Sequence, residues 1–209
     1  MKTIHKFLIS SALVIIPWSS YAQSLTSKGT VELGGEFSFA SQTYTRSGSS
    51  SGGSALNTLM FNPYIGVMVT EGFELGFMPG ITTISQGGES ATELNLFFTP
   101  AYNVNSGKAF PYFEFLIGYN SISGSGYYGS TQTYSGLGVG FGGGVKVAVG
   151  GSGLFLFNIK YLHQSYDIPA SNSSNFYGST SSSNTLSLNT VFAGVGFRIF
   201  FAPKTVRSK

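Results

Sequence analysis

Apolar and polar residues alternate along most of this chain, in eight separate stretches. The stretch 190–201 shows it most fully: Val191, Ala193, Val195, Phe197, Ile199 and Phe201 form one face. Thr190, Gly194, Gly196 and Arg198 lie on the other, with Phe192 and Phe200 as exceptions. A period of two is the signature of a β-strand with one oily side. The same reading predicts strands over 30–42, 59–69, 73–84, 92–104, 110–120, 137–149 and 154–165. In 137–149, Leu137, Val139, Phe141, Val145, Val147 and Val149 alternate with Gly138, Gly140, Gly142, Gly144 and Lys146.

The apolar faces carry no charge, whereas the opposite faces hold Glu32, Glu36, Glu74, Glu93, Glu114, Lys146, Lys160 and Arg198. A soluble lipocalin-like barrel would place charges outside and keep an apolar interior. Here the polarity is reversed, which predicts an all-β fold: an eight-stranded antiparallel transmembrane up-and-down β-barrel with a polar lumen. Beyond the leader, no stretch approaches the roughly 18–20 apolar residues of a spanning helix, so strands must meet the lipid. The connections 70–72, 105–108 and 150–153 are short and alternate with the longer 43–58, 85–91, 121–136 and 166–185. Short turns are periplasmic in such barrels and long loops external, so both termini are expected in the periplasm.

Composition sharpens this reading. Charged residues make up 9% of the chain, where about 25% is usual. Lys2 and Lys6 precede an apolar run over 7–18, and Ser20-Tyr21-Ala22 supplies small residues at a cleavage site. Residues 1–22 are expected to be a cleaved signal peptide, and 23–209 the barrel, with a short periplasmic tail at 202–209. Losing Lys2 and Lys6 takes the net charge from +3 to +1, which leaves no basic patch for nucleic acid. There is no Cys, and His163 is the one histidine beyond the leader; no disulfide, metal or cofactor is expected.

The lumen of an eight-stranded barrel is wide enough only to be filled by side chains. Five glutamates and three bases buried there must pair. Glu114 with Lys146 and Glu32 with Arg198 are the expected pairs, giving a closed polar plug. The alternative is a narrow channel for small solutes, whose conductance would change on neutralising Glu114 or Lys146. The glycines of 137–149 leave room for Phe97, Met78 or Tyr64 from facing strands. Pro63, Pro79, Pro100 and Pro111 fall within strands, where each removes a ladder donor, and bulges are expected beside them.

With these features the chain resembles the small eight-stranded outer-membrane barrels of Gram-negative bacteria, the OmpA/OmpX type grouped as porin-family proteins. Phe197-Arg198-Ile199-Phe200-Phe201 looks like the aromatic-ended signal that such proteins present to the barrel-assembly machinery, with Phe197, Ile199 and Phe201 on its apolar face. Members commonly stop at that aromatic; here 202–209 follow. The resemblance implies an outer-membrane protein in contact with lipid and lipopolysaccharide, non-enzymatic, with a structural or surface-interaction role. The long connections are rich in Tyr, Ser, Gly and Asn and share an echo, Tyr128-Gly129-Ser130-Thr131 and Tyr177-Gly178-Ser179-Thr180. That composition suits recognition of a host or surface ligand.

One segment offers an enzymatic alternative. His163-Gln164-Ser165 resembles the His-x-Ser of lipid A 3-O-deacylases, which implies His163 as general base and Ser165 as nucleophile. The chain departs from that family in having no Glu after Glu114 and Tyr166 where the family has Asn. Asp167 lies roughly 13 Å along the strand from His163, at about 3.4 Å per residue.

Overall fold

The computed structural model describes residues 25–45, 56–86, 89–125, 131–167 and 185–203. The expected leader, most of the tail and much of the long connections lie outside these residues, including both copies of the Tyr-Gly-Ser-Thr echo apart from Thr131. Eight strands follow one another: β1 (Val31–Thr45), β2 (Leu56–Met68), β3 (Phe73–Gln86), β4 (Glu89–Asn103), β5 (Ala109–Ser125), β6 (Thr131–Val149), β7 (Gly153–Asp167) and β8 (Thr185–Phe201). Each pairs antiparallel with its neighbours in sequence, and β8 pairs with β1 to close the barrel.

The strands run past the apolar alternation at the long-connection end. β3 reaches Gln86 and β4 starts at Glu89, so most of the expected 85–91 loop is ladder. β5 and β6 likewise extend to Ser125 and from Thr131. Above the oily belt a strand needs no apolar face, only a pairing partner, so Ser, Thr and Gly serve and the period of two disappears. Ser123 Oγ and Thr133 Oγ1 meet at 3.1 Å in this upper sheet.

The prolines do not produce the expected bulges. Pro63 faces Gly35, Pro79 faces Leu96, Pro100 faces Leu75 and Pro111 faces Val145, all in unbroken register. Between β2 and β3 the ladder keeps one register from Phe61↔Ile81 to Ile65↔Phe77 but lacks the three pairs between them. That register sets Pro63 opposite Pro79, so neither backbone donates and the strands lose bonds without gaining a residue.

Register also fixes the stagger. Starting at His163 on β7 and stepping through Val139, Ile117, Phe98, Phe77, Ile65, Leu33 and Ile199 returns to β7 at Gly153, ten residues lower. A stagger of ten on eight strands corresponds to a tilt of about 40°. The step from each strand to the next is then about 3 Å along the barrel axis.

The outer wall is a continuous oily surface, with Phe37, Phe61, Phe98, Phe115, Ile117, Phe141, Phe157 and Val195 all exposed. Its height from Phe201 to Leu137 is roughly 29 Å at this tilt, close to the roughly 30 Å of a bilayer's hydrocarbon core. Cross-strand rings pack along it, Phe37 on Phe61 at 4.8 Å and Phe155 on Phe197 at 5.5 Å. Phe115 stands near mid-height. Phe115→Arg is expected to destabilise the barrel folded in lipid by about 2–4 kcal/mol, read from urea titrations in bilayers; a soluble barrel would be indifferent.

Candidate functional site

Inward positions put the polar half of each strand into a lumen filled in layers. At the short-turn end Leu25 is fully buried and packs with Phe110, Leu154, Leu156 and Phe200. It is held by the entering chain, where Gly72 N donates to Thr26 O at 2.8 Å and Gly29 N to Met68 O at 2.7 Å. Sequence reading missed this stopper, because a lone Leu before the first strand has no period.

Beside it lies the first ionic cluster. Lys146 Nζ donates to Glu32 Oε1 at 2.7 Å and to Glu74 Oε2 at 2.8 Å, and Arg198 Nη1 donates to Glu32 Oε2 at 3.1 Å. The Arg198 guanidinium also stacks 3.4 Å from the centre of the Tyr64 ring, whose hydroxyl donates to Glu74 Oε1 at 2.7 Å. In the second cluster, Lys160 Nζ sits 2.6 Å from Glu36 Oε1 and 3.0 Å from Glu114 Oε1. Asn158 Nδ2 donates to Glu36 Oε2 at 3.0 Å.

All eight charged residues read as lumenal are buried. Glu32 does pair with Arg198, but Glu114 pairs with Lys160 rather than Lys146. The reason is register: Glu114 faces Gly142, while Lys146 faces Phe110 four residues away on β5. Lys146 instead reaches across the lumen to β1 and β3. In so narrow a barrel, opposite walls are as accessible as neighbouring strands.

Above the ions sits an apolar girdle of Met60, Met78, Phe97, Leu116, Leu162 and Phe192. Of the three residues considered for the space over β6, only Phe97 takes it: a Cβ on Gly138 would lie 3.1 Å from its ring. Tyr64 covers Gly66 and Gly76 instead. Higher still is a ring of Thr58, Thr82, Glu93, Asn95, Asn120, Gln164 and Thr190, all buried. Glu93 Oε1 accepts from Gln164 Nε2 and, at 2.7 Å, from Tyr166 OH.

A second polar group lies on the outer wall at the upper edge of the belt. His163 faces Asn189 across the β7–β8 ladder. Asn189 Oδ1 accepts from His163 Nδ1 at 2.8 Å and from Tyr161 OH at 2.7 Å. Ser165 shares that face and pairs with Ser187 and Leu137, while Asp167 is exposed and faces Thr185 and Ser135. Asn189 was not anticipated; its signal is a polar residue two places before Val191 on the outward face of β8. The outward Phe197, Ile199 and Phe201 are exposed at the short-turn end of β8.

Among the described residues no group of three or more His, Cys, Asp or Glu is placed to hold a metal ion.

A closed eight-stranded barrel with an oily wall and a polar lumen is the architecture of the small outer-membrane β-barrels. Solved structures of that class share the fold. Neisserial surface protein A matches with a TM-score of 0.59 and 15% identity, over 83% of this chain and 100% of that one. The outer membrane protein AlkL, seen in lipid bilayers, matches with a TM-score of 0.53 and 12% identity, over 87% of this chain and 94% of its own. OprG from Pseudomonas aeruginosa matches at 0.47 and 13% identity, over 85% and 98%. At such identities the likeness to the first two is one of fold. No protein-family model and no curated protein sequence matches the chain.

Proposed function

We propose that this chain is a non-conducting outer-membrane protein that acts at the cell surface through its long connections. Its short turns and both termini face the periplasm, with 1–22 removed and 202–209 left as a tail. The carrying observation is the filled lumen: a stopper around Leu25, two ion clusters and an apolar girdle follow one another along the axis. A barrel so filled has little to offer a solute, which leaves lipid, lipopolysaccharide and a surface ligand as its contacts. Phe197, Ile199 and Phe201 would be read by the assembly machinery.

Planar-bilayer recordings of the refolded protein are expected to be silent. Steady conductance that changes with Glu114→Gln would overturn this and favour the narrow channel. Replacing 171–184 with a short Gly-Ser link is expected to abolish surface binding while leaving the gel shift between unheated and boiled samples intact.

The Asn189 contact favours one further reading, an acyl hydrolase acting on lipid A. Asn189 Oδ1 fixes the proton of His163 on Nδ1 and leaves Nε2 to take a proton from Ser165, the amide standing where a carboxylate would orient the ring. If so, lipid A from cells overproducing the protein loses one acyl chain, and the Ser165→Ala variant restores it. Identical mass spectra from the two would dismiss the hydrolase and leave the surface protein.

A further inference from the structure

Charge is distributed unevenly along the barrel axis. The lumen takes Lys146, Lys160 and Arg198 together with Glu32, Glu36, Glu74, Glu93 and Glu114. Arg46 follows β1 directly, and Glu89 and Asp167 stand at the same long-connection end, which leaves that end with two acids and one base. Every other charge beyond the leader belongs to the short-turn end. There Lys28, Lys108, Lys204, Arg207 and Lys209 stand against Glu71 alone, five bases to one acid and a balance of +4.

These bases lie directly beneath the oily belt. Lys28 and Lys108 are exposed, in segments tied to the strand ends: Gly29 N donates to Met68 O at 2.7 Å and Ala148 N to Lys108 O at 2.9 Å. The last strand delivers the remaining three to the same rim. Phe201 pairs with Val31, and a Cβ on Gly29 would lie 3.6 Å from Pro203, which sets Pro203 beside the Lys28 segment. Lys204, Arg207 and Lys209 follow within six residues, so at about 3.4 Å per residue none is more than about 20 Å from the rim. Outward Phe73, Val104 and Phe201 are exposed around it. The bases therefore meet the membrane where acyl chains give way to headgroups.

We propose that this rim binds anionic glycerophospholipid, whose phosphates are drawn to Lys28, Lys108 and the three tail bases. The partner rests on the orientation proposed above, which puts this end in the phospholipid leaflet rather than the lipopolysaccharide one. Juxtamembrane bases are attracted to an anionic lipid surface, each favouring it by about fivefold. Four of the five are lysines, compact charges on long stems that can follow phosphates diffusing in a leaflet. Zwitterionic headgroups carry no net charge and offer no comparable attraction.

The test measures the lipid selectivity of the full refolded chain in phosphatidylcholine bilayers, with spin-labelled phosphatidylglycerol or phosphatidylcholine as the probe. Phosphatidylglycerol is expected to be held at the barrel about threefold more. The ratio should fall to near one in about 1 M salt, where screening acts within about 3 Å. The variant Lys204→Gln, Arg207→Gln, Lys209→Gln, whose changes lie outside every strand, should lose most of the preference. No preference in the parent, one that survives salt, or one unchanged in the variant overturns the proposal. The salt arm needs the parent alone. Sedimentation with purified peptidoglycan in place of phosphatidylglycerol selectivity would assign the bases to that polymer and also overturn it. Orientation has its own readout: the chain has no Cys, so Ser208→Cys offers one thiol, which a membrane-impermeant maleimide should leave unlabelled in intact cells. Labelling there overturns the orientation and the phospholipid partner together, whereas absent selectivity overturns the lipid site alone.

Discussion

Replacing Lys146 by Met is expected to remove about 3–5 kcal/mol of stability, the cost of leaving a buried ionic partner alone. Lys146 is fully buried and bridges Glu32 on β1 to Glu74 on β3. Met fills the space but abandons both carboxylates, and of these two Arg198 pairs only with Glu32, at 3.1 Å. Glu74 would retain Tyr64 OH and Asn103 Nδ2 as donors, neither carrying charge. Urea titration of the refolded barrel, followed by its gel mobility unheated, measures the loss. The double variant Lys146→Met, Glu74→Gln, which keeps Glu32 paired with Arg198, should recover most of it, because the cluster's worth lies in its completeness. Failure of the double variant to recover would mean that the cluster stabilises the barrel outright.

Gly76→Val is expected to have an effect of similar size by a steric route. A Cβ at Gly76 would come within 2.3 Å of Tyr64 Oη and 2.4 Å of Thr99 Oγ1. Tyr64 cannot move aside cheaply. Its ring carries the Arg198 guanidinium, its hydroxyl holds Glu74, and it also covers Gly66. Overpacking alone costs about 1–3 kcal/mol, and each hydrogen bond to a charged group that is lost adds about 1.5–3 kcal/mol. Failure to refold, read by the absence of the heat-dependent gel shift, is the expected outcome. Gly107→Val provides the control: Gly107 sits in an exposed turn with φ +83° and open space around its Cβ position, so only backbone strain applies.

The barrel was legible in the sequence because its two surfaces face different solvents. Lipid outside and packed polar groups inside impose opposite demands on alternate residues, and 190–201 records them one by one. The positions of the lumenal charges followed from the same parity, since Glu114 and Lys146 fall on inward sites whatever their partners. Partners were another matter. A strand pattern fixes which way a side chain points but carries no information on stagger, and a shift along β5 and β6 decides whether Lys146 meets Glu114 or the far wall. The Asn189 contact was invisible for the same reason: His163 and Asn189 become neighbours only once β7 and β8 are in register. The upper sheet went unread because Ser, Thr and Gly pair there without any apolar face.

The facing prolines of β2 and β3 have a mechanical consequence. A closed barrel has no free edge, so its resistance to lateral parting is that of its weakest ladder. The seam where the chain's two ends meet is paired without a break from Val31↔Phe201 to Thr45↔Ser187. The longest gap lies between β2 and β3, where three successive pairs are missing around Pro63 and Pro79; a shorter one, of two pairs, lies beside Pro100 between β4 and β5. Local opening begins where backbone bonds are fewest. A wall built this way yields at an internal pleat before it yields at its closure, so unzipping would release a β3-to-β8 sheet with β1 and β2 still attached to β8.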